Sequence, residues 1–134
     1  MVQFDLARGD YVYTNVRNHG AYDGDTVWLD IDVGFHFWRM CLIGESGHPL
    51  SYRLLDIDAP ELRPLVSRVS ATASRDFLLD HLGPIRETGN VYIRTYLMVD
   101  EDNFGRCLAH LWMPDGTSIN RLMIDSGHAV PYEH

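Results

Sequence analysis

Apolar and polar residues alternate with a period of two over Tyr11 to Val16, Thr26 to Val33, Phe35 to Ile43, Tyr52 to Ile57, Val91 to Val99 and Cys107 to Trp112. That period belongs to half-buried strands, whose successive side chains face opposite sides. Turn-forming residues punctuate the N-terminal stretches at Asn18-His19-Gly20, Asp23-Gly24-Asp25 and Gly34, while Gly44 to Pro49 has the composition of a long hairpin loop. The N-terminal half therefore reads as a strand meander. The period lengthens to four over Ser67 to Leu82, where Val69, Ala73 and Phe77 recur with Leu78 and Leu82 beside them, and Gly83-Pro84 stops the helix. After two more strands, Met113-Pro114-Asp115-Gly116 turns the chain into a second helix, Ile119 to Ser126, ended by Gly127. Short antiparallel strands with a helix inserted late predict a mainly β chain with helices (α+β), an OB-fold built on a five-stranded Greek-key barrel. No repeat, linker or low-complexity stretch interrupts it, so residues 1–134 read as a single domain.

Composition narrows this picture. Of 134 residues 46% are hydrophobic and 22% charged, enough apolar material for a core and too little charge for a disordered chain. No run approaches the roughly 18 apolar residues of a membrane helix, and Met-Val-Gln-Phe-Asp lacks the basic start of a secretory signal, so a cytoplasmic protein without membrane contact is expected. Nineteen acids face eleven bases, all of them arginine, for a net charge of −8. Taken alone, that balance argues against nonspecific nucleic-acid binding. Cys41 and Cys107 cannot make a disulfide framework and read as buried free thiols. The seven histidines show no zinc-like spacing, and Trp28, Trp38 and Trp112 read as core residues on strands.

Three polar clusters break the strand pattern. Asp23-Gly24-Asp25-Thr26 enters a strand; as a tetrapeptide it reads first as an Asp-Gly turn, and second as a contributor of oxygen ligands to a hard cation. Arg53-Leu54-Leu55-Asp56-Ile57-Asp58-Ala59-Pro60-Glu61 gathers three carboxylates and a guanidinium where an apolar strand ends. Arg53 and Asp58 lie an odd number of residues apart and would face opposite sides of a regular strand, so a common site requires a bend or bulge between them. Asp102-Asn103-Phe104-Gly105-Arg106 reads, by itself, as a hairpin turn with a surface arginine. Together the clusters offer what phosphodiester hydrolysis needs: a cation, guanidinium forks for phosphoryl oxygens and a carboxylate to take a proton from water.

In order and spacing these three motifs resemble the staphylococcal nuclease (thermonuclease) family. Leu108-Ala109-His110-Leu111, Asp115-Gly116, Asn120 and Ser126-Gly127-His128-Ala129 extend the resemblance to about residue 130. It implies a calcium ion held by Asp25, Asp58 and the main-chain carbonyl of Ala59, where the family commonly has threonine. It implies Arg53 and Arg106 on the scissile phosphate, Glu61 as general base, and Asp102, Phe104 and Tyr132 near substrate. The implied reaction is attack of water on phosphorus in DNA or RNA, leaving 3′-phosphate ends. Phe104 stands where tyrosine is frequent, which keeps stacking and loses a hydroxyl. Asp32-Val33-Gly34-Phe35 with Trp38 resembles phage and bacterial homologues, and no counterpart of the prototype's third helix is expected before His134. Arg63 and Arg68 read as backbone contacts of nucleic acid or as a solvated helix approach, and Asp56 as a surface or supporting acid. A monomer is expected. Two rival readings remain, a catalytically weak or inactive module of this family that binds nucleic acid or protein, and an acidic interaction protein on an OB scaffold.

Overall fold

A computed structural model describes residues 12–41, 50–61, 68–96 and 107–132. The described elements run β1 (Val16–Asp23), β2 (Thr26–Asp32), β3 (Trp38–Arg39), β4 (Tyr52–Leu54), β5 (Ile57–Asp58), α1 (Arg68–Leu82), β6 (Tyr92–Tyr96), β7 (Cys107–Trp112), α2 (Ile119–Asp125) and β8 (Val130–Pro131). The chain is mixed α+β, and its main sheet has the strand order of an OB-fold, β1-β2-β4-β7-β6, with β3 paired to β2. All its pairings are antiparallel except β4 with β7. Among the described residues no ladder closes the barrel, but isolated bridges Tyr13–Ile93 and Arg17–Thr88 tie β1 and the residues before it to β6 and its approach. The barrel interior takes one face of each strand: Val27, Leu29 and Ile31 from β2, Tyr52 and Leu54 from β4, Ile93 from β6, Ala109 and Leu111 from β7. Helix α1 adds Leu78 and Leu82, and α2 adds Ile119 and Met123. Burying a side chain of this size contributes about 1.5–3 kcal/mol.

Several expectations from the pattern need correction. Asn18-His19-Gly20 is not a turn between strands but part of β1, where the register to β2 shifts between Asn18 and Ala21. Gly20 has φ +109° and its N–H donates to Asn18 Oδ1 at 2.8 Å, so the turn-like composition serves a bulge. Of the strand expected over Phe35 to Ile43, the described residues show Trp38–Arg39; Phe35 and His36 are kept out of it by left-handed φ of 53° and 61°, and residues 42 and 43 lie outside the described residues. Helix α1 has the expected extent, yet its buried stripe is Ala71, Ser74, Leu78 and Leu82 while Val69 is exposed. A polar residue carries that stripe, since Ser74 Oγ donates to the His128 carbonyl at 2.8 Å. The tryptophans are half-buried on the sheet exterior, with Trp28 edge-on to Tyr22, Trp38 beneath the Arg17 guanidinium and Trp112 stacked on His110. Cys41 is buried as expected, but Cys107 is only partly so. The loop expected over Gly44 to Pro49 lies outside the described residues.

Candidate active site

The β1–β2 turn and the break between β4 and β5 build one cluster. Thr26 pairs with Arg53 across β2 and β4, which brings Asp25 beside the arginine, and the Leu54 N–H donates to the Asp25 carbonyl at 2.7 Å. Gly24 allows the approach from below: a Cβ there would lie 2.8 Å from the Cβ atoms of both Ala59 and Ser74. Beyond Leu54 the chain turns through Leu55-Asp56, with Asp56 at φ +65°, and the bend required by the odd separation of Arg53 and Asp58 is present.

At the centre, the Arg53 guanidinium spans two carboxylates, with Nη1 3.2 Å from Asp25 Oδ2 and Nη2 3.5 Å from Asp58 Oδ1. Asp25 is buried, whereas the Asp58 side chain is half exposed. Further donors aim the Asp25 carboxylate: the Ala59 N–H reaches Oδ2 at 2.9 Å and Thr26 Oγ1 reaches Oδ1 at 3.1 Å. Arg53 also lies over the Tyr132 ring, 5.4 Å from its centroid. Glu61 is exposed just past Ala59-Pro60. Asp58, Ala59 and Pro60 form one wall of a surface cleft of about 270 Å³ whose other wall is Gly127, His128, Ala129 and Val130. The structure thus brings Asp25, Arg53, Asp58, Ala59 and Tyr132 together. Arg63, Asp102, Phe104 and Arg106 lie outside the described residues.

Two residues of this region had no assigned task in the sequence. Asp23 is buried and its Oδ1 accepts the Asp25 N–H at 3.1 Å. Burial first, then its contact with the Asp25 carboxylate, push the Asp23 carboxyl up to about 7. Crowding of negative charge therefore falls on Asp23 and Asp25, while Arg53 offsets the charges of Asp25 and Asp58. Asn120 on α2 is buried, accepts the Leu111 N–H at 3.0 Å, and donates to the carbonyls of Leu55 at 3.0 Å and Ala109 at 3.1 Å. One amide thus fixes the turn that separates Arg53 from Asp58. Its signals in the sequence are its place in the family resemblance and a polar residue on a helix stripe that Ile119 and Met123 make otherwise apolar.

Chemically, the donor set fits a hard cation. Two carboxylates on different elements, with the main-chain oxygen of Ala59 next to one of them, match the all-oxygen ligation of calcium or magnesium. The guanidinium between them presents N–H donors in a fork suited to phosphoryl oxygens.

Comparison with known proteins places the chain in a family. Residues 51–134 match the family described as "Staphylococcal nuclease homologue". Two curated relatives, each named "Uncharacterized endonuclease", come from Escherichia coli O157:H7 and Escherichia coli. Each is 29% identical over 89 residues, covering 66% of this chain and 51% of the relative. The chain therefore spans about half the length of the curated relatives it matches.

Proposed function

Since the chain belongs to the staphylococcal nuclease homologue family, we propose that it is a calcium-dependent nuclease that hydrolyses phosphodiester bonds of DNA or RNA and leaves 3′-phosphate ends. The observation that carries this reading is the Arg53 guanidinium held between Asp25 and Asp58 at 3.2 and 3.5 Å. Asp25, Asp58 and the Ala59 carbonyl would hold the calcium ion, which when bound supplies positive charge to the phosphate and to the attacking water. Arg53, fixed by two carboxylates and the Tyr132 ring, binds phosphoryl oxygens and stabilises the charge that grows on them during attack. Glu61, exposed at the end of the motif, accepts the proton of the water. Arg106 supplies the second guanidinium, with Asp102 and Phe104 of the same motif near substrate. The cleft between Asp58-Ala59-Pro60 and Gly127 to Val130 gives the substrate a place beside these groups. The absence of lysine and the charge of −8 point to weak, mildly salt-dependent substrate binding through a few arginines and the metal. Among the described residues no helix is long and apolar enough to cross a membrane.

Incubating the purified chain with end-labelled single-stranded DNA and calcium tests the proposal. Fragments are expected to carry phosphatase-sensitive 3′ ends, and Glu61→Gln is expected to slow their release by about 10²–10⁴-fold, the contribution of a general base. Fragments with 3′-hydroxyl ends, or an undiminished rate in the variant, would overturn it.

A further inference from the structure

The outer face of the meander carries a second convergence of polar side chains that the hydrolytic site does not use. His19 on β1 places Nε2 2.6 Å from Asp30 Oδ2 on β2, and the Cys41 N–H, two residues past β3, donates to Asp30 Oδ1 at 2.9 Å. A ring nitrogen of His19, a carboxylate oxygen of Asp30 and Sγ of Cys41 all lie within 4.8 Å of one another. Asp30 and Cys41 are buried, and the His19 side chain, 17% exposed, forms the solvent side. Asp30 stands in the polar phase of its strand, where a solvated side chain is expected, yet it is buried beside an imidazole and a thiol.

We propose that His19, Asp30 and Cys41 form a metal site for a zinc-class divalent cation, separate from the oxygen-lined hydrolytic centre. The ligand types argue for that class. Calcium and magnesium take oxygen ligands, whereas a set containing thiolate and imidazole favours zinc and its neighbours. Three protein ligands leave a fourth position for water, and the half-buried His19 edge is the side from which water has access. Binding converts the Cys41 thiol to a thiolate, and its proton leaves to solvent. The His19–Asp30 contact has to open, because the nitrogen and oxygen that share a hydrogen there would each turn a lone pair to the ion; the Nε2 hydrogen exchanges through solvent to Nδ1, leaving a neutral imidazole as ligand. Arg17 competes for the same oxygen, with Nη1 3.2 Å from Asp30 Oδ2, and it yields that oxygen when the cation arrives. It has somewhere to rest, since its guanidinium already lies 4.3 Å over the Trp38 ring. Asp30 Oδ1 stays bonded to the Cys41 N–H throughout, so the carboxylate remains aimed. The bound ion would pin β1, β2 and the chain just after β3 to one another, a staple on the outside of the barrel.

Cobalt titration of the metal-free full chain tests this with a readout independent of nuclease activity. One equivalent is expected to give the near-ultraviolet charge-transfer band of a thiolate ligand together with tetrahedral visible bands, and one equivalent of zinc is expected to erase both. The band is expected to survive Cys107→Ser and Asp25→Asn and to vanish in Cys41→Ser. Should the buried serine prevent folding, His19→Gln on the solvent side is expected to weaken zinc by at least the ~10–100-fold that loss of a supporting contact costs. No band in the unaltered chain, a band that disappears only in Cys107→Ser, or unchanged zinc affinity in His19→Gln would overturn the proposal.

Discussion

Two buried aspartates in this protein each meet an arginine at 3.2 Å, Asp25 with Arg53 and Asp30 with Arg17, and their surroundings differ in a way that separates two chemistries. Around Asp25 the neighbours are further carboxylates, Asp23 and Asp58, and the arginine has two negative partners. Around Asp30 the neighbours are an imidazole, a thiol and a backbone N–H. The titration of the acids follows. Burial and the Asp25 carboxylate drive Asp23 up to about 7. Burial also opposes ionisation of Asp30, but the Cys41 N–H and His19 outweigh it and hold that carboxyl below its usual range. Arg53 thus sits in a surplus of acid and balances two carboxylates, whereas Arg17 sits beside an acid that an imidazole and a backbone N–H already satisfy.

Replacing each arginine in turn separates the two regions by the largest effect. Arg53→Lys keeps the charge but loses the fork, and turnover on single-stranded DNA is expected to fall by at least ~10²–10³-fold, the loss for one preorganised donor. Arg17→Gln is expected to leave initial rates within a factor of two. Equal losses in both variants would erase the distinction between the regions. Next in size, Asn120→Ala removes partners from two carbonyls and one N–H beneath the Arg53 cluster, which is expected to cost about 2–4 kcal/mol in urea unfolding. His19→Gln, at the half-exposed rim of the other cluster, is expected to cost less than about half of that without metal.

A smaller effect is a pH tilt of opposite sign in the two regions. Asp23 binds its proton more tightly folded than unfolded, so its contribution to stability is present at low pH and declines as pH rises from about 4 to about 7. Asp30 binds its proton less tightly folded, so its contribution is present above about pH 4 and is lost as pH falls further. Asp23→Asn is therefore expected to flatten the decline between pH 5 and 7 in calcium-free denaturant melts. A slope unchanged by that substitution would mean that Asp23 is ionised throughout.

How much of this was legible in the sequence depends on how local each feature is. Helix α2 and strand β7 follow directly from spacing and turn residues, and the break between β4 and β5 follows from the odd separation of Arg53 and Asp58. The buried stripe of α1 was misplaced because Ser74, bonded to the His128 carbonyl, occupies a position that an apolar count skips. The strand expected over Tyr11 to Val16 ends where β1 begins, and the described residues before Val16 hold only the isolated bridge Tyr13–Ile93; β1 itself escapes the pattern because a bulge and a turn draw on the same residues, here Asn18 and Gly20. Least legible was the His19, Asp30 and Cys41 cluster. Its members stand eleven residues apart on successive stretches of a meander, so the register of the sheet brings them together and no short motif records it. The Asp25, Arg53 and Asp58 cluster is equally non-local, and was found because each of its pieces sits inside a dense polar motif.

The central claim is that Asp25 and Asp58 make this chain's hydrolysis depend on calcium. Its most direct measurement is the cleavage rate of single-stranded DNA as calcium is titrated into chelator-treated protein, for the unaltered chain and for Asp25→Asn. The unaltered chain is expected to show a saturable rise from a negligible rate, reversed by chelator, and Asp25→Asn a curve displaced to much higher calcium or flat at the baseline. Full activity in excess chelator, or superimposable curves for the two proteins, would contradict it.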